Sequence, residues 1–526
     1  MGSRAVSAVP RPRLRDLRLA RRVRRVRQLV PAAALAALLG GLAPGCIMVG
    51  PDYETPPAPV AETWIDFQDA RVNTEETDLR TWWSVFRDPI LDGLMCQAGE
   101  GSLTLQAAAE RVSAARARRD LAAGFMYPQT QGANGGGGTT RLSEEDPNIT
   151  PGFNRTSTQW SAEVGASWEI DFWGRYRRAV ESADAELQAS VADYDDVMVL
   201  LYSEVAARYV SYRTFQHRLR YLRQNEEIQQ GSYDVTQARF DAGEVAERDV
   251  FEARQVLEET RALIPDAELG LRIENNALCV LTGSPPRDLT PELGEGAIPV
   301  APPSVAVGIP ADLLRRRPDV RRAERIAAAR CALIGIAESD FYPRISVLGR
   351  LGVSAEHSSD LDESDAETSF LGTSFTWSLF DYGRTASNVR IFEAEFRAAV
   401  LDYEQAVLSA GQEAEDALYS LFKSQERLGP QLASADAAER TVQIVQDQYA
   451  EGEVDFSEVF LFASNLTEAQ DQLATAQGNV AQAVVSVYRA LGGGWIHAVP
   501  DDAATPGLSG ETAQTPVPMI DGDAQP

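Results

Sequence analysis

The chain has 526 residues, of which 44% are hydrophobic, and its formal net charge is −28 at pH 7. This acidity excludes a general nucleic-acid binder, because such proteins present a basic surface to phosphate groups. The sequence contains no run of the roughly 18 to 20 apolar residues that a membrane-spanning helix needs, so any passage through a bilayer must use strands.

Residues 1–45 are predicted to form a lipoprotein signal peptide. Ten arginines lie within residues 4–27, a short apolar run occupies residues 29–39, and small residues lead up to Cys46. This order of basic, apolar and small residues is typical of a secretory leader. Cys46 is the expected lipidation site, and Ile47 after it favours sorting to the outer membrane. The alternative is a cytosolic protein with a basic leader and an unmodified cysteine.

Removal of the leader takes away ten arginines and one aspartate, which brings the mature chain to a net charge near −37. Three cysteines then remain, Cys96, Cys279 and Cys331. Their odd number and wide spacing indicate neither a disulfide framework nor a metal cluster, and small buried side chains are expected instead. No cofactor is predicted.

The chain is internally duplicated. An offset of 209 residues holds over about 115 residues, which is typical of a repeat and rare by chance. The matched residues include Trp168 and Trp377, Gly174-Arg175 and Gly383-Arg384, Tyr194 and Tyr403, Gly243-Glu-Val245 and Gly452-Glu-Val454, and Gly283 and Gly492. Further upstream the offset changes slightly, because Tyr127-Pro128 corresponds to Tyr342-Pro343.

Each half is predicted to hold a pair of strands, at residues 126–140 and 156–171 in the first half and at 343–355 and 368–380 in the second. From Trp160 to Ile170 the even-numbered residues are small or apolar, whereas most odd-numbered residues are polar. This period of two indicates strands with one apolar face. Segments of about ten such residues suit a membrane barrel. An ordinary half-buried hairpin on a soluble sheet is the alternative.

Four long helices are predicted at residues 176–241, 246–283, 384–451 and 456–491. The first is roughly 100 Å long at about 1.5 Å per residue. Its apolar residues follow the alternating four-and-three spacing of a coiled-coil seam, and they are Leu187, Val191, Tyr194, Met198, Leu201, Val205, Tyr212, Phe215, Leu219 and Leu222, with Arg208 as the exception. Pro265 and Gly429-Pro430 are expected to kink or interrupt two of the other helices.

These patterns divide the chain into six parts. The predicted parts are the signal peptide at 1–45, an N-terminal lipid-anchored segment at 46–87, a first repeat at 88–283, a linker at 284–317, a second repeat at 318–495 and a disordered tail at 496–526.

The strands imply an assembly of several copies. Backbone groups in lipid must be hydrogen-bonded within the protein, so a sheet there must close on itself. Four strands per chain are too few, because single-chain barrels start at about eight. The chain is therefore expected to form its wall together with identical copies.

Four sequence runs resemble the TolC/OprM outer-membrane factors, especially the NodT-type lipoproteins. They are residues 46–53, 82–89, 309–320 and 341–343, with the sequences CIMVGPDY, WWSVFRDP, IPADLLRRRPDV and FYP. The resemblance covers about residues 46–495. It implies a homotrimer with a twelve-stranded outer-membrane β-barrel, a long periplasmic α-barrel of coiled coils and an equatorial region. It also implies coupling, through a periplasmic membrane-fusion adaptor protein, to an inner-membrane pump of the resistance-nodulation-division type.

The candidate functional residues lie at the turns between the long helices. The resemblance implies that acidic side chains after the second turn ring the closed periplasmic entrance. Here Glu458 occupies that position with Asp455 nearby, whereas the second acid of the family pattern falls at Leu461. Acids that merely favour the start of a helix are an equally weighted alternative. The expected adaptor contacts are Gly243, Glu244, Val245, Gly452, Glu453 and Val454.

The predicted function is passive conduction through the outer-membrane exit channel of a tripartite efflux system. A duct for type I protein secretion and a non-channel periplasmic coiled-coil lipoprotein are the alternatives. An enzyme is not predicted, because the three histidines, His217, His357 and His497, lie near no plausible nucleophile or metal pattern.

Overall fold

The computed structural model describes residues 47–495, except residues 62, 70, 74–78, 144, 146–153, 301–304 and 307–314. The predicted signal peptide, the lipidation site Cys46 and the predicted disordered tail lie outside these residues, as do residues 301–304 and 307–314 of the predicted linker.

The fold is mainly helical, and two pairs of long helices dominate it. The helices are α1 (Pro89–Gly101), α2 (Leu103–Gly124), α3 (Arg175–Asp241), α4 (Glu247–Leu281), α5 (Thr290–Leu293), α6 (Pro318–Ser339), α7 (Arg384–Glu451) and α8 (Phe456–Ala490). Helices α3 and α7 have 67 and 68 residues, so each is about 100 Å long at 1.5 Å per residue. None of the helices in the described part of the chain combines the length and apolarity needed to cross a bilayer.

The strands are β1 (Val72–Asn73), β2 (Thr130–Arg141), β3 (Thr156–Glu169), β4 (Val305–Ala306), β5 (Arg344–Ala355) and β6 (Glu367–Thr376). Four of them form one antiparallel sheet in the order β2-β3-β5-β6. Strands β1 and β4 form a separate parallel pair. The sheet therefore contains one hairpin from each half of the chain, joined through β3 and β5.

The helices of each half pack as antiparallel pairs, α3 with α4 and α7 with α8, and α8 also packs on α3. The largest core cluster lies where these helices meet α1 and the short 3-10 helix Trp82–Phe86. There the ring of Trp82 stacks on Tyr488 at a centroid distance of 5.2 Å. This core joins the first half of the chain to the second.

The predicted coiled-coil seam of α3 is confirmed only in its second part. Met198, Val205 and Leu222 are buried, whereas Leu187, Val191 and Tyr194 are half-buried. In that first part alanines are buried instead, because α6 packs closely there and the short side chain of alanine permits a close approach.

Neither internal proline interrupts its helix. Pro265 lies within α4 and Pro430 within α7, and both helices continue on either side. A proline removes one backbone hydrogen bond, and packing along the partner helix compensates for one lost bond among many. Of the two expected effects, a kink or an interruption, the interruption is therefore absent from both helices.

Two predicted strand limits were also wrong. The first strand begins at Thr130 rather than at residue 126, because a turn follows α2, with Met126 N bonded to Ala123 O. The last strand ends at Thr376 rather than at residue 380, because its partner strand β5 begins only after Pro343, which has no N–H to donate. Cys279 and Cys331 are buried as predicted, but Cys96 is exposed.

Candidate functional site

One face of the four-stranded sheet is apolar and open. Val164 of β3 and Leu351 of β5 are directly opposite each other and are 64% and 67% exposed. Leu371 and Phe375 of β6 lie on the same face and are 69% and 74% exposed. An exposed apolar surface of this extent marks a contact with lipid or with another protein.

The opposite face of the sheet is polar. Glu163 of β3 lies 4.0 Å from Arg350 of β5, and the Arg350 guanidinium lies 5.4 Å from the centre of the Phe370 ring. Asn134 of β2 is paired with Glu163 in register. The predicted alternation of apolar and polar faces is therefore clearest in β3 and β5, whereas β2 consists mostly of glycine and small polar residues.

Both edges of this sheet are open within the described residues. The outer strands are β2 with 12 residues and β6 with 10 residues. Strand β2 is rich in glycine, and at Gly137 a Cβ atom would lie 2.2 Å from the Trp160 ring, which covers this glycine. Open edges of this length expose unpaired N–H and C=O groups and invite pairing with another strand.

The segment after the predicted lipidation site is held against the helical body just below the sheet. Arg178 of α3 is only 1% exposed and donates hydrogen bonds to Val49 O at 3.1 Å and Gly50 O at 2.9 Å. It also bonds to Asp52 Oδ1 at 2.8 Å. Gly50 has a φ of 91°, and a Cβ atom there would lie 2.3 Å from the Gly335 Cα atom. Residues 49–52 therefore bind in a close-fitting site on the helical body, which we call the seat.

At the other end of the molecule, each long helix reverses through a glycine. Gly243 after α3 has a φ of 78°, and Gly452 after α7 has a φ of 80°. The N–H of Glu244 bonds to Arg239 O, and the N–H of Glu453 bonds to Gln448 O, both at 2.9 Å. These are the bonds of a Schellman cap, which favours glycine because the residue adopts a left-handed conformation. The repeated Gly-Glu-Val motif therefore builds the same turn twice.

The predicted adaptor residues and Asp455 lie on these turns, which we call the first tip (residues 242–246) and the second tip (residues 452–455), and Glu458 lies in the first turn of α8. Gly243, Glu244, Gly452 and Glu453 are exposed, and Val245 and Val454 are half-buried. Asp455 precedes α8, and its carbonyl accepts the N–H of Glu458 at 3.1 Å. Both acidic side chains are exposed. Within the described residues, no group of three or more His, Cys, Asp or Glu side chains is placed to hold a metal ion.

Arg239, which joins α3 to α7 next to the tips, was not predicted from the sequence. Arg239 of α3 donates to Tyr449 O and to Ala450 O at the end of α7, both at 2.8 Å. Its guanidinium lies 5.0 Å from the centre of the Tyr449 ring and its Nε atom 3.8 Å from Glu244 Oε2. The guanidinium therefore caps the C-terminal end of α7, where positive charge is favourable.

We call the contacts of Arg239 with Tyr449 O and Ala450 O the clamp. The 209-residue offset aligns Arg239 with Gln448, so the two repeats differ at this position although their turns match. A guanidinium is therefore present at this position in the first repeat only.

Farther from the tips, α3 and α8 are also joined by polar side chains. Arg218 bonds to Asp471 at 2.5 Å, and Asn225 donates to Gln470 Oε1 at 2.8 Å. A motion that separates the two halves of the molecule at the tips must break these contacts one after another.

The chain matches the family model described as outer membrane efflux protein over residues 94–284 and 309–493, so each repeat is matched once. It is 30% identical over 464 residues to nodulation protein T of Rhizobium leguminosarum bv. viciae, covering 88% of this chain and 93% of that protein. It is 27% identical to the probable outer membrane lipoprotein SilC of Salmonella typhimurium, covering 86% and 96%.

Among solved structures, the outer-membrane channel OprN superposes with a TM-score of 0.79 at 34% identity, covering 85% of this chain and 99% of that one. The agreement extends from the sheet to the helical tips, because nearly all of that channel is covered. The chain is therefore an efflux protein of the outer membrane and belongs to the outer membrane efflux protein family.

Proposed function

We propose that three copies of the chain form a continuous exit duct, with a barrel of twelve strands in the outer membrane and a tube of helices in the periplasm. The observation that carries this proposal is the four-stranded sheet with two open edges and one exposed apolar face. A single copy leaves edge N–H and C=O groups unpaired, which is unfavourable in lipid.

The strand order supports closure by identical copies. Neighbouring strands in the sheet run antiparallel, and the sheet holds an even number of them. Strand β6 of one copy and strand β2 of the next therefore run in opposite directions when the copies form a ring. Apolar side chains then face lipid, and Glu163 and Arg350 face the water-filled interior.

The helices carry matching surfaces for neighbours. Leu269, Ile273 and Val280 on α4, and Leu401 and Leu408 on α7, are each more than half exposed. Their spacings of four and seven residues place each group on one side of its helix. In the duct these side chains pack between copies, which gives the helical tube its wall.

The lipid anchor adds a second attachment to the membrane. Lipidation of Cys46 places acyl chains at the membrane surface, a few residues before the seat that Arg178 forms for Val49 and Gly50. Because that seat lies where the sheet joins the helices, the anchor and the apolar face meet the bilayer at compatible heights.

The tips form the gate and the docking site in this proposal. Three copies bring three Glu458 carboxylates, with Asp455 nearby, around the periplasmic entrance, where like charges attract cations. The turns at Gly243-Glu-Val245 and Gly452-Glu-Val454 contact a periplasmic adaptor protein. The adaptor in turn links the duct to an inner-membrane pump of the resistance-nodulation-division type, which the sequence resemblance favours.

The test is single-channel recording with the purified, lipidated protein in planar bilayers, together with its mass in detergent. We expect a trimer and stepwise conductance. Two residues of β6 on opposite faces provide a matched pair of variants. Leu371→Arg puts charge in the middle of the strand on the apolar face, at a cost of about 2–4 kcal/mol at mid-membrane, and should reduce insertion. Ser374→Arg on the polar face should insert and change only the conductance. A monomer that leaves bilayers silent contradicts the proposal.

A further inference from the structure

The internal duplication of the chain predicts the register in which β6 of one copy pairs with β2 of the next. This inference rests on the proposed trimer. The β3–β5 pair, which is visible within one copy, joins the first repeat to the second. The β6–β2 pair between copies joins a second repeat to a first repeat. If the repeats are equivalent, the internal junction is a template for the external one.

The equivalence of the repeats extends to side chains at the base of the sheet. The indole nitrogen of Trp168 donates to Met126 O at 3.1 Å, and that of Trp377 donates to Phe341 O at 2.9 Å. The two tryptophans are related by the 209-residue offset, and each bonds to the residue just before its repeat's Tyr-Pro pair. The same local structure is thus built twice.

One extra residue in the first repeat changes the offset between equivalent positions of the two repeats. Gln129 is an extra residue between Pro128 and β2, whereas β5 follows Pro343 directly. Its side-chain amide takes the place of a ladder pair, since Gln129 Oε1 accepts from Glu169 N at 2.7 Å and Nε2 donates to Glu169 O at 3.1 Å. Equivalent positions in β2 and β5 must therefore be identified from their partners in β3 and β6 rather than from residue numbers.

The strand pairs within one copy identify these equivalent positions. Val164 of β3 corresponds to Thr373 of β6, and their partners on the preceding strands are Ala133 and Val347. Ala133 and Val347 are therefore equivalent positions. Val347 pairs across the internal junction with Trp168, whose equivalent is Trp377.

We infer that Trp377 of one copy lies opposite Ala133 of the next copy, and that the antiparallel ladder continues from there. The following pairs are Thr376 with Asn134, Phe375 with Gly135, and Ser374 with Gly136.

Two independent features agree with this register. Phe375 shares its face with Trp168, and Gly135 shares its face with Trp160, so apolar side chains stay on the lipid side. A shift by one residue would turn every side chain of one strand to the wrong face. The pairing also sets the exposed Phe375 ring beside Gly135, where a cross-strand aromatic covers a glycine as Trp160 covers Gly137.

Disulfide trapping tests the register, since directly opposite residues have Cα atoms about 4.5–5.5 Å apart, within the range of a disulfide. Residues displaced by two positions are about 7–8 Å apart and lie beyond it. In the template, Ile170 N bonds to Ile345 O, directly opposite. The equivalents of Ser374–Gly136 and Thr376–Asn134 are therefore non-hydrogen-bonded pairs, which approach most closely.

Four cysteine substitutions on the polar face provide both test and control. In a Cys96→Ser background, Ser374→Cys with Gly136→Cys, and Thr376→Cys with Asn134→Cys, should give covalent dimers and trimers on oxidation in outer membranes. The crossed combinations, Ser374→Cys with Asn134→Cys and Thr376→Cys with Gly136→Cys, should give at least tenfold less. If a double variant fails to accumulate, co-expressed copies carrying one cysteine and a different tag each report the same pair.

The outcomes separate the register from the function. Trimers that conduct but cross-link only in the crossed combinations, or in none of the four, overturn the register and leave the duct intact. A protein that is monomeric and non-conducting before any cysteine is introduced overturns the proposed function itself.

Discussion

Replacing Arg239 by alanine should loosen the periplasmic tips. The variant removes two hydrogen bonds from a charged donor to Tyr449 O and Ala450 O, both at 2.8 Å. Such bonds contribute about 1.5–3 kcal/mol each. The side chain is about a quarter exposed, so we take the lower value and assign about 3 kcal/mol to the pair. At about 1.4 kcal/mol per factor of ten, the balance should shift toward separated tips by about a hundredfold per copy.

The assay compares single-channel conductance and the entry of a large antibiotic into cells that carry each variant. Arg239→Ala should raise both, and Arg239→Lys should have an intermediate effect because lysine lacks the planar fork of donors. Arg248→Ala is the matched control, since Arg248 lies beside the same tip but is 64% exposed and, among the residues that the structure describes, pairs with acids of its own helix. Unchanged conductance in a correctly assembled Arg239→Ala channel would refute the clamp.

Three further predictions concern charge and packing. Glu458→Gln should weaken block of the channel by divalent cations at least several-fold without changing assembly, as measured in bilayers; equal block contradicts the proposed ring. Gly283→Ala should prevent accumulation or lower the thermal midpoint strongly, because φ is 74° and a Cβ atom would lie 1.9 Å from Gly101 O. Burial, and then the nearby Asp319 charge, raise the pKa of Asp196. Its ionisation therefore costs stability as pH rises above about 4, and Asp196→Asn should raise the thermal midpoint at pH 7 but not at pH 4.

The sequence predicted the elements of the fold well because each depends on a local pattern. Alternation between Trp160 and Ile170 requires one apolar face, and the structure has that face. The glycines at 243 and 452 mark the ends of helices because only a left-handed residue completes the cap. The duplication made each of these signals appear twice, which excluded coincidence.

Features that depend on contacts between distant segments were not predictable. The Arg239 clamp needs α7 to end beside α3, and Arg178 needs the N-terminal segment to pass between helices. Neither arginine differs locally from those exposed on the same helix. The prolines at 265 and 430 show the same limit, because local rules allow either a kink or an interruption there, and the helices packed on their partners are not interrupted.

In the proposed duct, the clamp also sets the energy that docking must supply. Its donor lies in the first repeat and its acceptors in the second, so it closes each copy upon itself rather than joining neighbours. In the proposed trimer, three copies therefore oppose separation of the tips by about 9 kcal/mol, three times the value derived from two hydrogen bonds. A partner can shift this balance only by binding the open tips more tightly than the closed ones by a comparable amount. Glu244, exposed on the first tip and 3.8 Å from Arg239, lies where a basic partner surface would compete for that arginine's acidic neighbour. In the proposed duct, the first tip is therefore both the expected docking site of an adaptor and the neighbour of the Arg239 contacts.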